Sequence, residues 1–101
     1  MYLIYLTFLN KKEAVKITRL LLENKLIACA NFFPCDSLYS WQGKIKQSKE
    51  VILFAKTTKK NIKNIELLVK KYHSYQVPCI CAYEAKKVAQ DYLKWVKNSV
   101  E

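Results

Sequence analysis

Cys79-Ile80-Cys81 is the most distinctive chemical grouping in this chain. Side chains two apart on a strand leave by the same face, so both thiols can approach one soft ion. His73, the single histidine, lies a few residues upstream and offers an imidazole. Such a set suits Cu(I) or zinc. The expectation is a chain that requires no cofactor yet binds copper, or another metal ion, through Cys79 and Cys81 with His73 assisting. The competing and weightier reading makes both cysteines small buried apolar residues of a sheet face, because a metal ion needs three or four ligands held together. Cys29 sits in an apolar strand-like run and is expected in the core. Cys35, after Pro34, is expected to be exposed. None of the four cysteines has C-x-x-C spacing, and a reduced, cytoplasmic chain is the default.

Other chemistries lack their parts. With one histidine, no Ser-His-Asp or Cys-His-Asn set can be assembled. Gly43 is the lone glycine, so no glycine-rich loop exists to cradle phosphate. An enzyme is therefore not expected. The net charge of +10 raises nucleic acid as a partner. That charge is almost all lysine, with Arg19 the single arginine, and it is scattered along the chain. Arginine dominates base readout, so a solvated basic surface is favoured over a binding patch. No apolar run reaches the roughly 18 residues of a membrane span. The first strand-like run also lacks the basic start and cleavage site of a signal peptide.

These residues need elements to position them, and at 101 residues the chain is expected to form one domain, 1–101. Met1 to Leu9 is apolar and β-prone, as a central strand would be. Asn10 with Glu13 forms a capping pair for a helix carrying Ala14, Ile17, Leu20 and Leu21. Leu26 to Phe33 returns to strand chemistry, and Pro34 to Ser37 marks a turn or kink. From Tyr39 to Ile45, apolar residues alternate with polar ones, and Val51 to Ala55 is continuously apolar. This stretch predicts a long hairpin turning near Gln47 and Ser48, with Gly43 inside a strand where another backbone comes close. The rival is a turn at Gln42-Gly43. Thr57 and Thr58 are placed to cap a second helix with Ile62, Ile65, Val69 and Tyr72 on one face. Val77 to Tyr83 reads as an edge strand, since Pro78 begins it. A last helix from Val88 to Asn98 carries Tyr92, Trp95 and Val96.

The order β-α-β-β-α-β plus a C-terminal helix predicts an α+β, ferredoxin-like fold with helices on one face of an antiparallel sheet. The hairpin is too long for so small a fold. Its unpaired edges call for partner subunits, so a cyclic homo-oligomer is expected. Tyr39 and Trp41 then fill a subunit interface, with Gly43 near them. A basic ferredoxin-like domain that binds RNA is the second reading. It needs exposed aromatics on the sheet face, interleaved with basic residues.

Tyr39-Ser-Trp41-Gln-Gly43-Lys44-Ile45, Lys56-Thr57-Thr58, His73-Ser-Tyr75-Gln76-Val77-Pro78 and Tyr92-Leu93-Lys94-Trp95, with Cys29-Ala30-Asn31 ahead of them, resemble the CutA divalent-cation-tolerance family. The resemblance implies a tight homotrimer of ferredoxin-like protomers, with the long hairpins packed between subunits. It further implies an architecture shared with PII-type ligand-sensing trimers, a role in tolerance of copper and other divalent metals, and no established enzymatic activity. By analogy with such trimers, Lys56 and Tyr75, with His73, line a cleft between subunits. The family's proposed metal ligands fall here on Leu6, Tyr72 and Cys79, so that set does not carry over.

Overall fold

The computed structural model describes residues 1–101. The chain runs β1 (Tyr2–Phe8), α1 (Lys11–Glu23), β2 (Cys29–Trp41), β3 (Lys44–Thr57), a single 3-10 turn (Lys59–Asn61), α2 (Ile62–Tyr72), β4 (Ile80–Glu84) and α3 (Gln90–Ser99). The four strands form one antiparallel sheet in the order β2-β3-β1-β4. This is the ferredoxin-like α+β arrangement, with β1 central and β4 at an edge as their sequences suggest.

Period-two alternation decides which face is covered. Ile4, Leu6 and Phe8 of β1, with Val51, Leu53 and Ala55 of β3, point under the helices and are buried. Ala14, Ile17 and Leu21 of α1 and Ile65 and Val69 of α2 close over them in one core. α1 begins where the Asn10 side chain accepts the Glu13 N–H at 2.9 Å. It ends in paired backbone bonds, Lys25 N–H to the Leu22 carbonyl and Leu26 N–H to the Leu21 carbonyl, with Lys25 at φ 54 in the position glycine usually takes.

Three local expectations are corrected. The hairpin turns at Gln42-Gly43, because Trp41 pairs with Lys44 and both turn residues have positive φ, 51 and 77. That is the two-residue turn whose twist matches the strands. Gly43 is therefore a turn residue and not a strand glycine. The apparent alternation across it was accidental: Tyr39 and Trp41 lie on one face, whereas Ile45, opposite Ser40, lies on the other. Second, Pro34 neither stops nor kinks the strand. It sits within β2 opposite Val51, tolerated because β2 is an edge strand with one side free of ladder bonds. Cys35 is consequently half-buried on the sheet rather than exposed in a turn, and Cys29 is half-buried rather than core. Third, Thr57 and Thr58 do not cap α2. Thr57 is buried at the end of β3 and donates its hydroxyl to the Leu26 carbonyl at 2.6 Å. Thr58 precedes the 3-10 turn without a side-chain cap bond.

No heavy atom lies within 4 Å of a Cβ built at Gly43, so a side chain there meets strain only in the backbone. Gly43→Ala is expected to lower stability by about 1 kcal/mol, and Gly43→Asn by clearly less, since asparagine tolerates positive φ. Urea unfolding of the two variants side by side checks this order.

Candidate functional site

The face of the sheet opposite the helices is open, and the ladder registers fix what it carries. Phe33, Ile52 and Thr7 lie in one row, and Asn31, Phe54, Tyr5 and Cys81 in the next. Tyr5 and Phe54 pack with ring centroids 5.4 Å apart, and Phe33 stacks on Phe54 at 6.4 Å. Beyond Val51, β3 has no β1 partner. Residues 35–50 form a two-stranded ribbon reaching past the sheet, and the chain is 46 Å long but only 20 Å thick. The ribbon displays apolar side chains on both faces, Tyr39 and Trp41 on the open-face side, Leu38 and Ile45 on the other. Leu38 and Ile45 are 71% and 81% exposed.

A groove of about 620 Å³ lies between the ribbon and the segment after α2. Tyr39, Trp41, Glu50, Tyr75, Val77 and Cys79 are among its walls. His73 lies behind the groove, two residues before Tyr75, and anchors the segment that forms one wall. Its fully buried ring stacks on Phe8 at 4.9 Å, one nitrogen (Nε2) lies 2.7 Å from the Thr7 carbonyl, and the other (Nδ1) accepts the Tyr75 N–H at 3.0 Å. That network assigns the proton to Nε2, which donates to Thr7. The Glu13 carboxylate accepts the Ser74 N–H at 3.2 Å. Its other oxygen stands 3.8 Å from His73 Nδ1 and has no hydrogen-bond partner. Thus pinned, the segment delivers Tyr75, whose hydroxyl donates to Glu50 at 2.6 Å.

Cys79 and Cys81 hold their sulfurs 3.9 Å apart, both half-buried. Burial pushes the Cys79 thiol up from its ordinary pKa, and contact with Cys81 and the charge of Glu50 add to this. Burial, then the Glu50 hydrogen bond, pushes the Tyr75 hydroxyl up strongly. Tyr5 is pushed up by burial first, then by Cys79 and its neighbours. Protonated acids thus gather around one carboxylate, Glu50.

The expected metal trio does not assemble within the chain. His73 spends both ring nitrogens on the backbone, and nowhere do three or more His, Cys, Asp or Glu side chains converge as metal ligands. Lys56 and Tyr75 are not brought together either. Lys56 lies at the far end of β3, opposite Leu3 and Cys29, and donates to the Asn31 side chain. It lies six positions along the strand from Glu50, the Tyr75 partner, which is about 20 Å at strand rise. Tyr39, Trp41, Tyr75 and Cys79 do share one groove. Glu50 and Glu13 were missed by sequence reasoning. Asn10-x-x-Glu13 reads as a cap, and the place of Glu50 beside Cys35 follows only from the true turn.

The model of the CutA1 divalent ion tolerance protein family matches residues 2–99. The chain belongs to the CutA1 family. The Divalent-cation tolerance protein CutA of Archaeoglobus fulgidus is 39% identical over 97% of this chain and 96% of its own length. That of Thermotoga maritima is 40% identical over 99% of both. Among solved structures, a point mutant of CutA1 from Pyrococcus horikoshii OT3 superposes with a TM-score of 0.97 at 36% identity, covering 100% of this chain and 99% of that one. The A. fulgidus structure, described as a periplasmic divalent cation tolerance protein, gives 0.97 at 38% identity over the full length of both chains. No helix of this CutA1-family chain is long and apolar enough to cross a membrane.

The raised Tyr75 pKa has a signed consequence. The folded state holds this proton above pH 10, where an unfolded tyrosine releases it. Its stabilisation is therefore complete below about pH 10 and lost as pH rises toward the folded value. Tyr75→Phe is expected to be less stable than wild type at pH 8, with the gap narrowing above pH 10. Urea midpoints across pH 8–11 measure it.

Proposed function

We propose that this chain acts in divalent-cation tolerance by binding the ion, as a homotrimer that takes up copper in the cuprous state through Cys79 and Cys81. One observation carries the reading: the overhanging ribbon and the paired thiols meet in one groove, with Tyr39, Trp41 and Cys79 all on its walls. A ribbon with large apolar side chains on both faces cannot be covered by folding back on its own sheet, which would hide only one. Neighbouring copies on either side would bury both. Trp41, Tyr39, Leu38 and Ile45 are the contacts this assembly uses, with Gly43 shaping the tip.

Two thiols in contact are a minimal, soft donor pair and suit Cu(I) better than a dication that prefers oxygen or more ligands. In this reading His73 is a positioning residue that fixes the segment leading to Cys79, and not a ligand. Membership of a family named for divalent-cation tolerance supports the physiological setting. Four free cysteines, two of them touching without a bond, fit a reducing cytoplasm.

RNA binding is the weaker alternative. The open face carries Phe33, Phe54 and Tyr5, but Lys56 is the single lysine in its four-stranded part, where an RNA platform interleaves cations. A PII-like role in sensing a small ligand would use the same groove, with Tyr75 and Trp41 on its walls and Lys56 outside it.

Native mass spectrometry is expected to report three copies per particle. Leu38→Asp with Ile45→Asp should give monomers that keep their circular dichroism, and an unchanged assembly in that variant would overturn the trimer reading. Anaerobic competition against a Cu(I) chelator should show tight binding in wild type and at least about tenfold weaker binding in Cys79→Ser/Cys81→Ser. Equal affinity in the two would remove copper from the reading.

A further inference from the structure

We propose that Cys79 and Cys81 form a dithiol–disulfide couple that reduces Cu(II) to Cu(I). The inference deepens the copper-uptake reading above and rests on it for the identity of the ion. The sulfurs stand 3.9 Å apart. A disulfide needs about 2.05 Å, so one sulfur must close roughly 2 Å. The backbone leaves room for that movement on one side only. Cys81 is fixed in β4 opposite Tyr5, whereas the β1–β4 ladder stops at the Leu6–Ile80 pair and Cys79 lies beyond it. Pro78, just before, has no N–H to anchor the chain. Cys79 is therefore the mobile partner and Cys81 the fixed one.

Within the single chain both thiols are partly exposed, and Cys79 lines the groove. Glu50 supplies an oxygen donor and a negative charge there, against the opposing charges of Lys46 and Lys49 on the same walls. The other two cysteines lack this arrangement. Cys29 faces the Tyr92 hydroxyl at 3.4 Å and Cys35 the Ser37 hydroxyl at 3.8 Å, each without a neighbouring thiol. A lone thiol that gives up one electron has no intramolecular partner to close on.

The step balances as two Cu(II) ions and two thiols giving one disulfide, two Cu(I) ions and two protons. Each sulfur loses one electron to one copper, both S–H bonds break, one S–S bond forms, and the protons leave to solvent through the groove. The closed form has no free thiolate and releases Cu(I). A low-molecular-weight monothiol, by exchange through a mixed disulfide, restores the pair. The reduced pair then holds Cu(I), so the same two atoms first convert the ion and, once recharged, bind it.

The test mixes the reduced full chain, without oxygen, with a small excess of Cu(II) and the chromogenic Cu(I) chelator bicinchoninate. Wild type and Cys29→Ser/Cys35→Ser are expected to yield two Cu(I) ions per chain, and peptide mapping should find a Cys79–Cys81 bond in a chain two hydrogens lighter. Cys79→Ser/Cys81→Ser should reduce Cu(II) at least about tenfold more slowly. Reduction at the wild-type rate in that variant, or bonds formed only between chains or at Cys29 and Cys35, overturns the proposal. Titration with Cu(I) supplied directly separates the two readings. Binding without Cu(II) reduction sinks the redox couple alone, and reduction without Cu(I) binding sinks uptake alone.

Discussion

The two-residue turn at Gln42-Gly43 sets the register of β2 against β3, and nearly every functional feature follows from that register. With Trp41 opposite Lys44, the ladder runs unbroken to Cys29 opposite Lys56, and the part beyond Val51 projects free of β1. Glu50 is thereby set beside Cys35 on the open face, where Tyr75 reaches it. A turn at Gln47-Ser48 would instead set Trp41 opposite Phe54, shorten the ribbon and remove the groove. The constraint is conformational: both turn residues need positive φ, which glycine accepts at little cost and Gln42 accepts at some.

The fold divides its two faces unequally. Helices bury one side of the sheet in a conventional core, while the other keeps Phe33, Tyr5, Phe54 and the Cys79–Cys81 pair half-exposed. A half-exposed apolar sheet face continuous with an apolar ribbon is the kind of surface that marks an interaction site. The segment after α2 links the two halves. His73 is buried against Phe8 on the core side, and Tyr75 next to it engages Glu50 on the open side. One short stretch thus ties the core to the groove. The orphan Glu13 oxygen near His73 is the unsatisfied atom of that link.

Much of this was legible in the residues. The apolar run of β1 and the helical spacing of Ile65 and Val69 follow from elementary periodicity, and β4 is the edge strand expected, although it begins at Ile80, after Pro78 rather than with it. The half-burial of Cys79 and Cys81 lies between the two readings the sequence offered. Pro34 misled because a proline reads as a break unless the strand is known to lie at an edge. The Tyr39–Ile45 alternation misled because a pattern of two carries no mark of where the chain reverses.

By itself the sequence determined the element order, the helix-covered face and the pairing of two thiols with a single residue between them, because these depend on spacing between near neighbours along the chain. The tertiary structure alone decided that His73 turns away from the cysteines, that Lys56 and Tyr75 lie apart, and that Glu50 joins Tyr75 in the groove. Those outcomes depend on contacts between strands and loops distant in sequence, fixed by register and by which buried groups needed hydrogen bonds. Local spacing does not encode such contacts, and competition among buried polar groups settles them only once the sheet has formed.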